Sequence, residues 1–245
     1  MAIATYRDAE TWIGGYRLTT NMHTVGLGQS VEEVRANVFT DTGPRRLAGM
    51  PDHAIAIEGF MDEANSGAAA AAVLGSQDSI FSVAPLGGAG GALTDIAYSG
   101  RAQFGALDGA LKPGDLYRFS LQGKCSPGER LVRGVLMHNA QRSSTSQTTG
   151  VQLGAVTATQ YVYGALHVYA FEGTTPTLNV VVSSSATQGG SYTARLTFTQ
   201  QTGLVAEWKS AAGAITDTWW RIEYTIGGTD TPKFTFAVTV GIQTP

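Results

Sequence analysis

Lys233-Phe234-Thr235-Phe236-Ala237-Val238-Thr239-Val240 decides the fold class, because bulky apolar residues alternate along it with small or polar ones. Successive side chains of a β-strand point to opposite faces, so Phe234, Phe236, Val238 and Val240 share one face and Thr235, Ala237 and Thr239 the other. A helix would scatter the same residues around its circumference. The stretch before it, residues 219–226, repeats the pattern, with Trp220, Ile222, Tyr224 and Ile226 on one face and Trp219, Arg221 and Glu223 on the other. Gly227-Gly228-Thr229-Asp230 between the two reads as a turn joining separate strands.

Further back, residues 162–171, 177–183 and 193–199 read as strands bounded by Gly, Ser and Thr. Together these runs describe an antiparallel sandwich of the jelly-roll kind. Strands are also expected at residues 31–39, 54–60, 95–104, 116–123 and 131–138. Ile55 and Ile57 alternate with Ala56 and Glu58, and Tyr117, Phe119 and Leu121 with Arg118 and Ser120. Residues 40–52 form a polar excursion holding Gly43, Pro44, Arg45, Arg46, Gly49 and Pro51, too long for a tight hairpin turn. One helix is expected over residues 62–74, with Ser66 as N-cap, a run of alanines and Gly75 at the C′ position. The fold class is therefore all-β: a two-sheet sandwich or barrel lidded by one short helix, then a second sandwich.

At 245 residues the chain is long enough for two such units. Up to Gly150 it holds 12 Lys and Arg with 14 Asp and Glu, whereas the remaining 95 residues hold 4 and 5. That shift places one domain at 1–150 and another at 151–245, with the Ser-, Thr- and Gln-rich residues 141–150 as an extended linker or exposed strand. The net charge of -3 supplies no broad basic field for gripping nucleic acid, though a surface that lets DNA slide past would look the same. Cys125 is the single cysteine, so no intrachain disulfide forms and synthesis in a cytoplasm is expected. Arg7, Asp8 and Glu10 near the start do not make a signal peptide. The longest apolar run, residues 68–74, falls far short of the roughly 20 residues of a membrane helix.

No constellation for catalysis stands out. His23, His53, His138 and His167 are scattered without a His or Cys at metal-ligand spacing, so they read as structural or surface residues, and no metal or cofactor is expected. There is no nucleophile elbow, Walker loop or metalloprotease helix, and Gly87-Gly88-Ala89-Gly90-Gly91 lacks the strand-to-helix setting of a phosphate cradle and reads as a flexible loop. The adjacent acids Glu32-Glu33 and Asp62-Glu63 read as solvated charges. Trp219 is the sharper clue: an indole beside Arg221 on the outer face packs on a neighbouring element, on a partner subunit or on a sugar ring. Trp208 joins these two as a candidate for outer-surface binding.

Taken in order, Trp12-Ile13-Gly14-Gly15-Tyr16-Arg17-Leu18-Thr19, residues 31–39, Thr40-Asp41, Arg45-Arg46-Leu47-Ala48-Gly49-Met50 and Glu58-Gly59-Phe60-Met61-Asp62 resemble the tail tube proteins of long-tailed bacteriophages. The resemblance covers about residues 10–150 and rests on order, since no single piece is specific. It implies a two-sheet domain closing into homohexameric rings that stack into a tube, with inner strands lining a lumen that conducts DNA without binding it specifically. It also implies tail-tip, terminator and tape-measure proteins as partners, a place in the virion tail, and no membrane. The long excursion would then reach to the next ring, which makes Thr40, Asp41, Arg45, Arg46 and Leu47 the contact candidates.

Residues 151–245 resemble a galactose-binding-like or immunoglobulin-like sandwich appended as an outer decoration, with Leu153-Gly154-Ala155-Val156 and Ala165-Leu166-His167-Val168 in the entry region. Three functions compete. A structural tail protein leads, with a tail-tip or terminator protein of the same fold as its variant. The second is a weak glycan- or cell-surface-binding module using Trp208 or Trp219. The third, a glycan-cleaving enzyme, finds no paired carboxylates in a motif.

Overall fold

The structure is a computed structural model and describes residues 9–35, 46–86, 94–110, 115–125 and 131–245. In chain order its strands are β1 (Glu10–Ile13), β2 (Tyr16–Arg17), β3 (Met22–Arg35), β4 (Arg46–Phe60), β5 (Ser79–Ala84), β6 (Ile96–Ala110), β7 (Arg118–Cys125), β8 (Val132–Arg142), β9 (Ser146–Gln147), β10 (Val151–Gln152), β11 (Tyr161–Ser185), β12 (Thr193–Thr197), β13 (Val205–Ala212) and β14 (Trp219–Gln243). The short helix α1 (Ala68–Val73) lies between β4 and β5. The chain is thus almost entirely β, as its alternating apolar pattern requires.

The first sandwich is built around β6, which changes partners along its length. Its first residues pair with β5 on one side and β8 on the other, while Ala102 to Ala110 pair with β7. One layer is therefore β8–β6–β5–β1–β2 and the other β6–β7–β4–β3, all antiparallel. Ile13, Phe81 and Val83 from the first layer meet Ile55, Ile57, Phe104, Phe119 and Leu121 from the second, and Ala69 and Val73 of α1 close one end. Asp62, in an extended conformation, caps the helical segment by accepting from the Ala64 amide at 3.1 Å. Ser66, expected as the cap, instead lies inside a π-type turn (Glu63–Gly67), where its Oγ accepts from the Asp62 amide at 2.7 Å. Gly75 ends the helix with φ +79°, as expected.

The second sandwich is one long antiparallel ribbon folded over on itself. Strands β11 and β14 stay paired from Tyr161 opposite Gln243 to Ser185 opposite Trp219, with register shifts between Val168 and Thr177. The two limbs face each other, since a Cβ at Gly164 in the first limb of β11 would lie 2.9 Å from Leu196 and 3.8 Å from Val182 in the opposite layer. Val162, Leu166, Val168, Val180, Val182, Trp220, Ile222, Phe234, Phe236 and Val238 fill the core between them. Gly227-Gly228-Thr229-Asp230 is accordingly not a turn between separate strands. It is the corner at which β14 changes layer, matched on β11 by Gly173 and Thr175, and strands commonly change sheets at such bulged bends.

Sheet pairing crosses the boundary expected at Gly150, because the last limb of β14 lies between β11 and β8. That limb and the first limb of β11 are covered on both faces. Val162, Leu166, Val168, Phe234, Phe236, Val238 and Val240 enter the second core, while Ala165, His167, Ala237 and Thr239 turn toward Trp12, Ser82, Ala84, Ala97, Ser99 and Leu136 of the first sandwich. Small and hydroxyl residues on this second face let the two layers approach.

Residues 46–52, expected in the excursion, are instead strand: Pro51 stands opposite Val31 and Arg46 opposite Arg35 in a ribbon extending β3 and β4. The shift between Val31 and Glu33 marks the bulge that tolerates a proline there. In residues 141–150, Ser146–Gln147 pair with Tyr224 and Glu223 at the edge of β14.

Candidate assembly surface

The sheet β3–β4–β7–β6 has one apolar and one solvent face. On strands paired in register, opposite residues share a face, so its rows can be followed across all four strands. Leu27, Ile55, Gly123 and Phe104 form a row facing the core. Thr24, Glu58, Ser120 and Asp108 form a row facing away, followed by Gly26, Ala56, Gln122 and Ala106, then Gly28, Ala54, Lys124 and Gln103. Every residue of these outward rows is exposed or half-buried.

This outward face is small and polar. Among the side chains described on these rows and the rows that flank them, the carboxylates are Glu58, Asp108 and Asp52 and the cations are Arg118 and Lys124, the latter 3.4 Å from Asp52. Both members of that pair are exposed, so it contributes at most about 1 kcal/mol. Asp108, Glu58, Arg118 and Ser120 line a shallow depression of about 300 Å³ with His23, whose ring meets Phe60 edge-on at 5.6 Å. Among the described residues no group of three or more His, Cys, Asp or Glu is placed to hold a metal ion.

Both edges of this sheet are open: among the described residues β3 pairs only with β4, and Gly105–Ala110 of β6 pair only with β7. Arg46 and Leu47, opposite Arg35 and Val34, lie at the far end of the β3–β4 ribbon. Thr40, Asp41 and Arg45 lie outside the described residues, as do the glycines 87–91.

The outer-surface candidates separate. Trp219 is half-buried beside Arg221, whose guanidinium sits 3.8 Å from the Tyr192 ring centroid and whose Nε donates to Glu223 at 2.8 Å. Trp220 is the core tryptophan, fully buried and donating to the Gly154 carbonyl at 2.9 Å. Trp208 stands on β13 opposite Ala165, packed on Tyr163 with ring centroids 5.7 Å apart and its indole nitrogen buried. It faces Ser99 and Thr239 in the junction, not the surface of Trp219.

Sequence reasoning missed the polar network in that junction. His167 Nδ1 donates to the Gly14 carbonyl at 2.9 Å, so Nε2 accepts from Ser82 Oγ, also at 2.9 Å; Ser82 meets Ser99 at 2.9 Å, and Ser99 meets Thr239 at 2.6 Å. A histidine accepting from a serine hydroxyl is the geometry of an activated nucleophile. Here both groups are fully buried, so no substrate reaches them and the network is a structural joint. Burial pushes His167 down to about 4 against the opposing Gly14 hydrogen bond. His138, packed on Phe236 at 4.3 Å, is pushed down to about 4 by burial and by the charge of Arg142. Burial pushes the Cys125 thiol up to about 11, which keeps it protonated. Glu10, also buried, accepts from Arg17 Nε at 2.6 Å and from Thr19 at 2.7 Å, and this pairing holds the Arg17 guanidinium above its ordinary value.

No family profile and no curated protein matches the chain. Among solved structures it is similar to a chain of the virion of a native gene transfer agent particle at 14% identity, with a TM-score of 0.41 over 53% of this chain and 98% of that one. A chain of an extracellular contractile injection system sheath–tube complex gives 11% identity and a TM-score of 0.40 over 55% and 92%. The Dit protein of phage SPP1, a hub adsorption apparatus protein, gives 8% identity and 0.38 over 97% and 100%.

Proposed function

We propose that the chain is a structural, non-catalytic protein of a phage-type tail, in which β3–β4–β7–β6 lines a channel for DNA. One observation carries the reading: among the described residues this sheet buries one face in its own core, presents a small, weakly acidic opposite face, and leaves both edges open. Strand directions alternate across it, so β3 of one copy can pair antiparallel with β6 of the next. A heterologous contact of this kind repeats around a ring and removes the exposed edges on closure. Extended polyanions are held by cations that release counterions. The row of Thr24, Glu58, Ser120 and Asp108 has none to offer and would let DNA slide.

The finer reading takes rings of six that stack into a tube, with the far end of the β3–β4 ribbon, including Arg46 and Leu47, reaching the next ring. Thr40, Asp41 and Arg45 belong to the same proposed contact. Residues 151–245 form the outer decoration. Electron micrographs and sedimentation of the full chain at milligram-per-millilitre concentration, with and without tail-tip components, test this. Sixfold rings that stack into tubes are expected, rings that never stack would make it a hub or terminator subunit, and monomer under every condition would sink the proposal.

A second reading draws on Arg221 held against Tyr192 beside half-buried Trp219: the outer sandwich binds glycan weakly. Glycan-array binding that disappears in Trp219→Ala and Arg221→Ala is the expected result, and no binding by the native chain would overturn it.

A further inference from the structure

A groove of about 910 Å³ opens beside the free edge of β3, between Val25 and Leu27 on that strand and Val83, Tyr98 and Leu131 of the facing layer. Val25, Leu27 and Leu131 are the partly covered rim of the first core, Tyr98 is half-buried beside them, and Val83 is buried at the groove floor. At the opposite edge of the same sheet the chain leaving α1 runs beside β6: Leu74 bridges to Phe104, and the Gly75 amide donates to the Phe104 carbonyl at 3.0 Å. Leu74 is 44% exposed there, and Ala71 and Ala72 on the outer side of α1 are exposed beside it.

We infer that the groove beside β3 is filled by Leu74 and the exposed face of α1 from a second copy of this chain, so that each copy supplies a ridge at one edge and a receiving groove at the other. The inference rests on the ring reading above and names the contact that closes it. Its geometric basis is the shared row. Leu27 in the groove, Ile55, Gly123 and Phe104 lie in register across the sheet, with Leu74 hydrogen-bonded next to Phe104. Ridge and groove therefore sit at the same level on opposite edges of one sheet, and pairing those edges brings them together.

Charge is consistent with this. The groove lining carries no Asp, Glu, Lys or Arg among the described residues, and Ala71, Ala72, Leu74, Gly75 and Ser76 carry none either. Burying one against the other strands no unpaired charge, which is what a stable apolar contact requires. Each half-covered core residue at the rim loses its remaining contact with water, adding to what strand pairing contributes. Among the described residues, nothing in an isolated copy covers this rim of the first core.

The test uses the full chain with Cys125→Ser, Gln29→Cys on the groove wall and Leu74→Cys on the ridge. Under mild oxidation, disulfide-linked ladders up to ring size are expected from the double-cysteine chain, and none from either single-cysteine chain. At a concentration too low for assembly Leu74→Glu should melt at the native temperature, because Leu74 is exposed in the single copy, while at assembling concentration it should weaken ring formation by at least about 10-fold in sedimentation. Native rings in micrographs without any Gln29–Leu74 cross-link, or rings undiminished by Leu74→Glu, would overturn the groove contact and leave the ring reading standing. Failure of the native chain to assemble at all would overturn both.

Discussion

His167 Nε2 lies 2.9 Å from Ser82 Oγ, a contact between residues 85 positions apart that ties β11 of the second sandwich to β5 of the first. The same imidazole reaches the Gly14 carbonyl, and Ser82 continues through Ser99 to Thr239, so four strands and the β1–β2 turn meet in one network. Replacing His167 by Ala takes the side-chain partner from the half-buried Gly14 carbonyl and the acceptor from the buried Ser82 hydroxyl, leaving Ser82 with Ser99 alone, and opens a hole where the ring packed. A buried polar group that loses its partner costs roughly 1–3 kcal/mol. Urea unfolding of His167→Ala should show a loss on the order of 3 kcal/mol, larger than that of Ser82→Ala, and a change below 1 kcal/mol would refute the joint.

His138 and His167 set the acid limit of the fold. Both are held near 4, below the ordinary value of 6.5, so the folded chain keeps them neutral where an unfolded chain would protonate them. The unfolded state binds more protons across that window, so stability is full above about pH 6.5 and falls as pH drops toward 4. A depression of this size corresponds to roughly 3 kcal/mol per histidine. His138→Phe keeps the packing against Phe236 but gives up the ring's hydrogen bond to the Ala140 backbone, so at pH 7.5 it should cost about 1 kcal/mol. The variant should lose about half of the decline in urea midpoint between pH 6.5 and 5. Glu172 and Asp217, held low by Lys233 and by Ser184 with Arg195, act only below that window. An unchanged slope in His138→Phe would count against this account.

Local alternation made the strands legible. Phe234, Phe236, Val238 and Val240 enter the core as their spacing requires, and Ala237 and Thr239 on the reverse face are small because a second layer covers them. The corner was not legible, since Gly227-Gly228-Thr229-Asp230 carries the same turn signal whether two strands end there or a paired ribbon folds over. The polar joint left no local trace either, because Ser82, Ser99, His167 and Thr239 meet only after sheet closure. Of the surface candidates, Trp219 beside Arg221 followed from a period of two, whereas the direction of Trp208 depended on which layer β13 joins. The outward rows of β3–β4–β7–β6 needed the register of three strand pairs.

The corner should be intolerant of side chains at its glycines. Gly173 has φ +102° and a Cβ there would lie 2.9 Å from Pro232 Cα; Gly228 has φ +122° and a Cβ there would lie 2.9 Å from Pro176 Cα. Backbone atoms cannot swing aside as a flexible side chain does. Gly173→Ala and Gly228→Ala should each cost on the order of 2 kcal/mol or more. Thr231→Gly, at φ 53°, removes a branched side chain from a left-handed position and should cost less than either. Thermal melts of the three variants give the ranking, and a Thr231→Gly variant less stable than both alanine variants would contradict it.

The small, weakly acidic face of β3–β4–β7–β6 predicts a gain of binding when its charge is reversed. Glu58 and Asp108 flank Ser120 in one row, both exposed on the face opposite the core, so Glu58→Lys with Asp108→Lys should fold normally. In a closed ring each copy adds two cations and removes two anions along the same circle. Phosphate neutralisation then becomes possible, and log affinity for duplex DNA should fall steeply with log salt, with a slope near -0.9 for each phosphate contacted. Fluorescence anisotropy with a short labelled duplex at low and moderate salt checks this: the native assembly should show no salt-dependent binding, and the double-lysine assembly should. A native assembly that already binds duplex tightly would contradict a sliding surface. A double-lysine assembly that forms rings yet binds nothing would move the channel to another face of the subunit.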